Sequence, residues 1–394
     1  MADQKIFVSA FTTGKDWKVE AENLAAKVRK DLGGKSCDLV IFFVSEKYQN
    51  FDPAVFSGIL QAKTQCTALI GCNSSGIIAG EKEIEMEPAI SALAMHLPGV
   101  KIFPFYLSSS DAGAMKSGAE LINSIDIYPP DKPRFICLAD PMSCDISQLL
   151  NLFNEAYKGL PVIGGLASGG VMGADNWLAL NGTIYTEGAA GVGLTGDIEF
   201  DSLVSQGCRP IGKPYVITKA EDNILYELAG KPALHIAREV LEKLAPKDKA
   251  LAEHSLFVGL VMEEQRTEFK RGDFLIRNIM GFDPESGAFA IGAVLKVGHT
   301  LQFQLRDAET SEEDFKILLE KRGGAKDGSP QGGLLVSCCG RGKGLFGQAG
   351  HDARMIQSMR GPLPLTGFFA NGEIGPVGNK NYVHGYTSSL VILS

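Results

Sequence analysis

Two glycine-rich stretches, IGCNSSGIIAG at 70–80 and IGGLASGGVMG at 163–173, constrain this chain more than any other feature. Gly71, Gly76 and Gly80 of the first are answered by Gly164, Gly169 and Gly173 of the second. Each stretch closes the same order of segments. In the first, an apolar strand DLVIFFVS (38–45) is followed by a helix opened by Asp52 and Pro53, then by TALIG running into the loop. In the second, RFICLAD (134–140) is followed by a helix from about Asp145 to Tyr157, then by PVIGG. A capping acid before proline marks a helix start, and Ile146, Leu149, Leu150 and Phe153 recur at helical spacing. After each loop an apolar strand follows, AISALAMHL and then GAAGVGLTG. The pattern predicts a duplicated strand–helix–strand–loop–strand unit, over about 38–105 and 134–205. A diverged third copy closes the chain. GGLLVSCCGRG (332–342) reads as strand, 352–359 as helix, LTGFFANGEIG (365–375) as strand and loop, and YTSSLVIL as the trailing strand. Gly367 and Gly372 keep the spacing of Gly71 to Gly76.

Different material separates copies two and three. Helices are expected at about 220–244, then a strand SLFVGLVME, then a hairpin around the D-P-E-S-G turn of FLIRNIMGFDPESGAFAIGAVL. A helix over 311–321 begins with a Thr310/Glu313 capping box and stops at Gly323 and Gly324. The fold class expected is α/β (mixed α+β), with repeated strand-helix-strand units forming mixed sheets in two domains, 1–222 and 223–394. The N-terminal domain is the internally duplicated one.

With 394 residues, 45% of them hydrophobic, the chain can bury large cores. A net charge of -8 gives no electrostatic footprint for nucleic acid or an anionic membrane, so neither is an expected partner. The start, MADQKIFVSAF, lacks a basic region before a long apolar one, so a cytoplasmic protein is expected. Eight cysteines without a CxxC pair suit reduced thiols, and six scattered histidines show no spacing for a metal. GKS at 34–36 lacks the rest of a P-loop. GKGLFG at 342–347 matches GxGxxG but has no acid about twenty residues beyond it.

Glycine loops after strands let backbone N–H groups approach a ligand, and equally let two layers pack. Asn73, Ser74, Ser75 and Gly76 make the first loop the one rich in hydrogen-bonding groups; the second has Leu166, Ala167 and Ser168 instead. The other candidate cluster is C-terminal: Cys339 and Arg341 at one strand exit, Asn371 and Glu373 at the next, and His384 shortly after. Ligands of α/β sheets sit beyond strand ends, where Arg341 can take a carboxylate and Glu373 an amine. An Arg and a Glu at neighbouring exits can equally pair with each other. Cysteine beside histidine and an acid leaves a cysteine-dependent enzyme as an alternative. Haem needs one histidine only, so no cofactor is required but haem stays possible.

At SCCGRGKGLFG and LTGFFANGEIGPVGNKNYVHGYTSSLVIL the sequence resembles the FIST family. LIGCNSSGIIAGE, VIGGLASGG and SQGCRPIGKPYVITKAEDNILYELAGKPAL extend the resemblance over nearly the whole chain. The resemblance implies an N-terminal FIST domain followed by a C-terminal one, in a sensory protein rather than an enzyme. Its expected ligand is a small polar, amino-acid-like metabolite, and its expected partner a separate signalling protein. Some bacterial members look like haem-bound nitric oxide sensors acting on a histidine kinase, which supplies the haem alternative.

Overall fold

The computed structural model describes residues 4–170, 175–266, 268–322 and 331–394. The end of the second glycine loop, 171–173, and the helix stop at Gly323 and Gly324 lie outside them. By its internal contacts the chain divides into two units. The first comprises Met1–Val204, Leu318–Val383 and Thr387–Ser394, and the second Ser205–Ile317 with His384–Tyr386. The C-terminal copy is thus grouped with the first two, and the second unit is the material between them.

Copy one contains β1 (Ile6–Thr13), α1 (Trp17–Asp31), β2 (Leu39–Ser45), α2 (Pro53–Thr64), β3 (Ala68–Ser74), the hairpin β4 (Ile77–Ala79) and β5 (Lys82–Ile84), and β6 (Ala89–His96). Copy two contains β7 (Val100–Leu107), α3 (Ser109–Ala114), α4 (Gly118–Ile125), β8 (Arg134–Ala139), α5 (Ile146–Ala156), β9 (Val162–Leu166), the hairpin β10 (Leu178–Leu180) and β11 (Thr183–Tyr185), and β12 (Ala189–Gly196). Copy three opens with β13 (Phe200–Ser205), and the chain then builds the second unit. That unit holds β14 (Cys208–Glu221), β15 (Ile224–Leu228), β16 (Lys231–Pro232), α6 (Ala233–Glu242), α7 (Pro246–Ser255), β17 (Leu256–Val261), β18 (Phe274–Asp283), β19 (Ala288–Ile291) and β20 (Thr300–Arg306). α8 (Ala308–Arg322) begins in the second unit and ends in the first, and copy three continues in β21 (Gly332–Cys338), α9 (Gly342–Phe346), α10 (His351–Arg360), β22 (Leu365–Ala370), the hairpin β23 (Glu373–Val377) and β24 (Lys380–His384), and β25 (Ser388–Leu393).

Each copy makes the same sheet. β2 runs parallel to β3 and antiparallel to β6; β8 stands in the same relation to β9 and β12, and β21 to β22 and β25. β1, β7 and β13 add the outer strand. The other edge is filled by exchange. The copy-one hairpin pairs through β4 with β22, the copy-two hairpin through β10 with β3, and the copy-three hairpin through β23 with β9. Every copy gives a hairpin to one neighbour and receives one from the other, so the three sheets form a closed cycle within this unit.

Side-chain alternation explains why the middle strands read as unbroken apolar runs. Leu39, Ile41 and Phe43 of β2 enter a central core with Ile136 and Leu138 of β8 and Leu334 and Val336 of β21. Val40, Phe42 and Val44 enter a second core under α1 and α2, with Trp17, Leu24, Val28, Phe56 and Leu60. Phe43 stacks on Phe368 at 4.4 Å between ring centroids, joining the first sheet to the third. In the second unit β14 pairs with both β20 and β15, so the sheet closes on itself around Ile217, Leu225, Val258, Ile291 and Phe303, with α6 packed on this core. The expected D-P-E-S-G hairpin is β18–β19, with Asp283 accepting N–H bonds from Glu285 and Ser286.

Two sequence expectations change. The helix placed from about 220 starts only at Ala233; the residues before it form the β14–β15 hairpin, turned by Asp222 at φ +49°. Likewise α8 begins at Ala308, where Asp307 rather than Thr310 caps it by accepting the Thr310 N–H at 2.7 Å.

The repeated glycines have a packing reason. Gly71, Gly164 and Gly367 stand opposite Phe42, Cys137 and Leu335 in the parallel pairs, and a Cβ on any of them would meet that partner's carbonyl oxygen inside van der Waals contact. Gly367→Ala should therefore destabilise the protein by roughly 1–3 kcal/mol through overpacking against backbone. Gly58→Ala, in open space on α2, should stabilise it by about 0.5–1 kcal/mol. Chemical denaturation of both variants checks the contrast, which vanishes if these glycines are merely flexible.

Candidate functional site

The strand exits of the three copies converge. Counting from Gly71, Gly164 and Gly367, the fourth residue on is Ser75, Ser168 and Asn371. At two junctions between copies this position donates its backbone N–H to the carbonyl two residues earlier in the neighbouring copy: Ser168 to Asn73 at 3.4 Å and Asn371 to Leu166 at 3.1 Å. The third junction is different. The Ser75 N–H donates to Ser168 Oγ at 3.0 Å, and that hydroxyl donates to the Phe369 carbonyl, so a side chain stands where the other junctions have a direct bond. Here Cys339, at the exit of β21, places Sγ 3.2 Å from Ser75 Oγ and 3.8 Å from Asn371 Oδ1. Asn371 Nδ2 donates to the Ala167 carbonyl at 3.2 Å. Ser75, Ser168, Cys339 and Asn371 thus form a ring of uncharged polar groups drawn from all three copies.

The other expected site residues serve the frame. Asn73, 6% exposed, holds the incoming copy-two hairpin: Oδ1 accepts the Trp177 N–H at 3.0 Å and Nδ2 donates to the Asp175 carbonyl at 3.1 Å. Ser74 is buried and its hydroxyl donates to the Gly76 carbonyl at 2.7 Å, while a Cβ at Gly76 would press on the Ile84 carbonyl. Arg341 corrects the expectation of a carboxylate clamp. Its guanidinium is 0% exposed and bidentate to Asp352, Nε to Oδ2 at 2.8 Å and Nη2 to Oδ1 at 3.1 Å. His351 bonds the same carboxylate at 3.0 Å and stacks on Phe346. Burial works against ionisation of Asp352, but Arg341 and His351 outweigh it and hold the carboxyl down to about 2. His384 is buried at 2% exposure and belongs by its contacts to the second unit.

Glu373 also departs from its expected role as an amine ligand. It pairs with Gly165, as Ile77 pairs with Phe368 and Leu178 with Cys72, each the residue after the close-packed glycine. One copy therefore carries a carboxyl where the other two bury Ile and Leu. Glu373 is 0% exposed, and Oε2 accepts the Thr387 N–H at 3.0 Å and the Thr387 hydroxyl at 2.7 Å. Burial pushes its pKa up to about 8 against those donors and the nearby Arg341, so it is protonated at neutral pH. Cys339 reaches the surface, yet the packing around its sulfur pushes the thiol up despite the Ser75 and Ser168 donors, the opposite of what a cysteine nucleophile needs. Among the described residues no group of three or more His, Cys, Asp or Glu is arranged to hold a metal.

An opening of about 380 Å³ lies beside β5 and is lined by Lys82, Glu83, Glu85, Glu87 and Lys343 among others. Its inner carboxylate is committed to the frame: Glu83 accepts N–H bonds from Gly350 and Ala353 at the start of α10, and Glu85 accepts one from Lys343. Sequence reasoning missed Ser168, although its place in the repeated frame is that of Ser75. It also missed Asp352 and Thr387, whose partners are distant enough that spacing carries no signal.

Two predictions test these assignments. A carboxyl raised from about 4.5 unfolded to about 8 folded stabilises fully below the lower value, and that contribution is lost as pH rises through the upper one. Glu373→Gln keeps an acceptor for Thr387 without the titration, so its stability relative to the parent should grow between pH 5 and 8, read by urea midpoints; a constant difference would contradict the assignment. Arg341→Ala should cost about 3–5 kcal/mol by leaving the buried Asp352 without its guanidinium and with His351 to partner it, measured by the same denaturation.

Known proteins match this chain along nearly its whole length. Family models of the FIST N domain and the FIST C domain match residues 38–231 and 233–376. An uncharacterized protein of Mycobacterium tuberculosis is 38% identical over 97% of both chains, and one of Mycobacterium bovis 36% identical over 98% of both. An uncharacterized protein of Methanocaldococcus jannaschii is 23% identical over 75% of this chain and 56% of its own. Among solved structures, a cyanuric acid hydrolase from A. caulinodans aligns over 99% of both chains at 8% identity and TM-score 0.36, and another cyanuric acid hydrolase over 100% of both at 6% identity and TM-score 0.34. Against these hydrolases the expectation that the chain is not an enzyme does not stand, and at such TM-scores they transfer no reaction or substrate to it. The repeated glycine frame, the two matched domains and the whole-length relatives agree: this chain belongs to the FIST family of sensory domains.

Proposed function

We propose that this protein is a receptor that takes a small polar ligand at the ring where the three copies meet and passes its occupancy to a separate signalling protein. The observation that carries the reading is the convergence of Ser75, Ser168 and Asn371, one position of the repeat in three copies, around the Cys339 thiol. Asn371 is exposed and Ser75 half-buried, so both can reach a ligand. A molecule bridging groups from all three copies favours whichever arrangement of the strand exits fits it, and a partner that reads that arrangement reads the ligand. Haem, the alternative cofactor, finds no support at the two histidines nearest in sequence to the C-terminal cluster. His384 is buried, and the buried His351 is bonded to Asp352 and stacked on Phe346, so neither imidazole offers itself as an axial ligand.

Among the described residues no helix is long and apolar enough to cross a membrane. Eight free cysteines suit a reducing compartment, and we place the protein in the cytosol, with neither nucleic acid nor membrane as partner.

A thermal-shift panel of small polar metabolites tests the reading. A ligand at about 100 times its dissociation constant adds roughly 2.7 kcal/mol to stability, a shift of a few degrees. Asn371→Ala and Ser75→Ala should each weaken that ligand about tenfold or more while leaving the unliganded melting temperature nearly unchanged. A ligand shift that survives both substitutions would place the site elsewhere.

A further inference from the structure

The charged groups around the ring are answered within the protein. Arg341 is held by Asp352. Glu373 is closed off by burial and by Thr387. Glu46, which follows β2 as Cys339 follows β21, pairs with Lys47 at 2.6 Å. Asp140, which follows β8, accepts from the Met142 and Ser143 N–H groups, the Ser143 hydroxyl and Asn176 Nδ2. Drawing Arg341 away to meet a ligand carboxylate would break a bidentate pair and leave Asp352, 1% exposed, to His351 in the interior.

The ring itself has capacity to spare, and its form is specific. Asn371 Nδ2 carries two hydrogens, and Ala167 takes one; Oδ1 has two acceptor positions, and the Cys339 thiol at 3.8 Å takes at most one. One donor position and at least one acceptor position of this exposed residue's amide are therefore not taken by these two bonds. A carboxylate would meet the acceptor with repulsion, and an ammonium would meet the donor. A group that offers a C=O and an N–H together satisfies both.

Resting on the ring as the binding site, we infer that its ligand is an uncharged molecule recognised through a primary carboxamide, paired edge to edge with the side-chain amide of Asn371. Ser75 Oγ, beside Cys339, supplies a further contact. The zwitterionic amino acid expected from the sequence is replaced by an amide-bearing compound.

Propionamide, propionate and propylamine share one skeleton and differ in the group at issue. Saturation-transfer NMR on the full chain, with each probe up to about 20 mM to cover weak binding, compares them. The expected result is binding of propionamide alone, weakened at least about tenfold by Asn371→Ala and by Asn371→Asp, with little change between low and high salt. Preference for propionate or propylamine that still depends on Asn371 would overturn the carboxamide class while leaving the ring as the site. No binding of propionamide would overturn the class as well. Binding of any probe that is indifferent to both Asn371→Ala and Ser75→Ala would overturn the ring itself.

Discussion

The first unit depends on hairpin exchange. A strand edge presents unpaired N–H and C=O groups, and each of the three sheets covers one such edge with a hairpin from another copy. Closing the cycle makes the copies inseparable: no sheet is complete without a neighbour, and the central core draws its apolar side chains from all three. The close-packed glycines follow from this arrangement. β3, β9 and β22 each lie between a parallel partner and a donated hairpin, and only a residue without Cβ fits against the partner's carbonyl at the shared register.

Exchange also creates the candidate site. The loop joining each parallel strand to its donated hairpin must cross from one sheet to another, so the three loops meet where the sheets meet. Bonds between the copies then pin the fourth residue of each loop, and the junction bridged by the Ser168 hydroxyl differs from the other two. Divergence has marked copy three most. It alone puts a carboxyl, Glu373, at the core position of Ile77 and Leu178, and it alone sets cysteines where copies one and two have Ser45 with Glu46 and Asp140 with Pro141. A fixed frame with one altered junction suits a sensor: the frame holds the geometry, and the altered copy supplies the chemistry.

The repeats were legible in the sequence because strand and helix periodicity and glycine spacing are local. The strand–helix–strand order, the third copy and the D-P-E-S-G hairpin all rest on neighbours in the chain. What was not legible is long-range. Nothing near Arg341 announces that its guanidinium is taken by Asp352 one helix away, and nothing near Glu373 announces that its register makes it a core residue. The helix expected from about 220 starts later because Asp222, at positive φ, turns a hairpin whose strands the local composition did not mark. Ser168 stands opposite Ser75 when the two loops share one frame, and it is easily passed over because the Leu166 and Ala167 before it are apolar.

The convergence of the loops is the central claim, and a cross-link tests it most directly. Ser75 Oγ lies 3.2 Å from Cys339 Sγ, so a Ser75→Cys variant sets two thiols within reach of a disulfide. After mild oxidation and digestion, mass spectrometry should find the peptide containing residue 75 joined to the one containing Cys339 in monomeric protein, with the link reversed by a reducing agent. Free thiols at both positions under conditions that oxidise exposed cysteine would contradict the account, because the loop of copy one would then lie away from the strand exit of copy three.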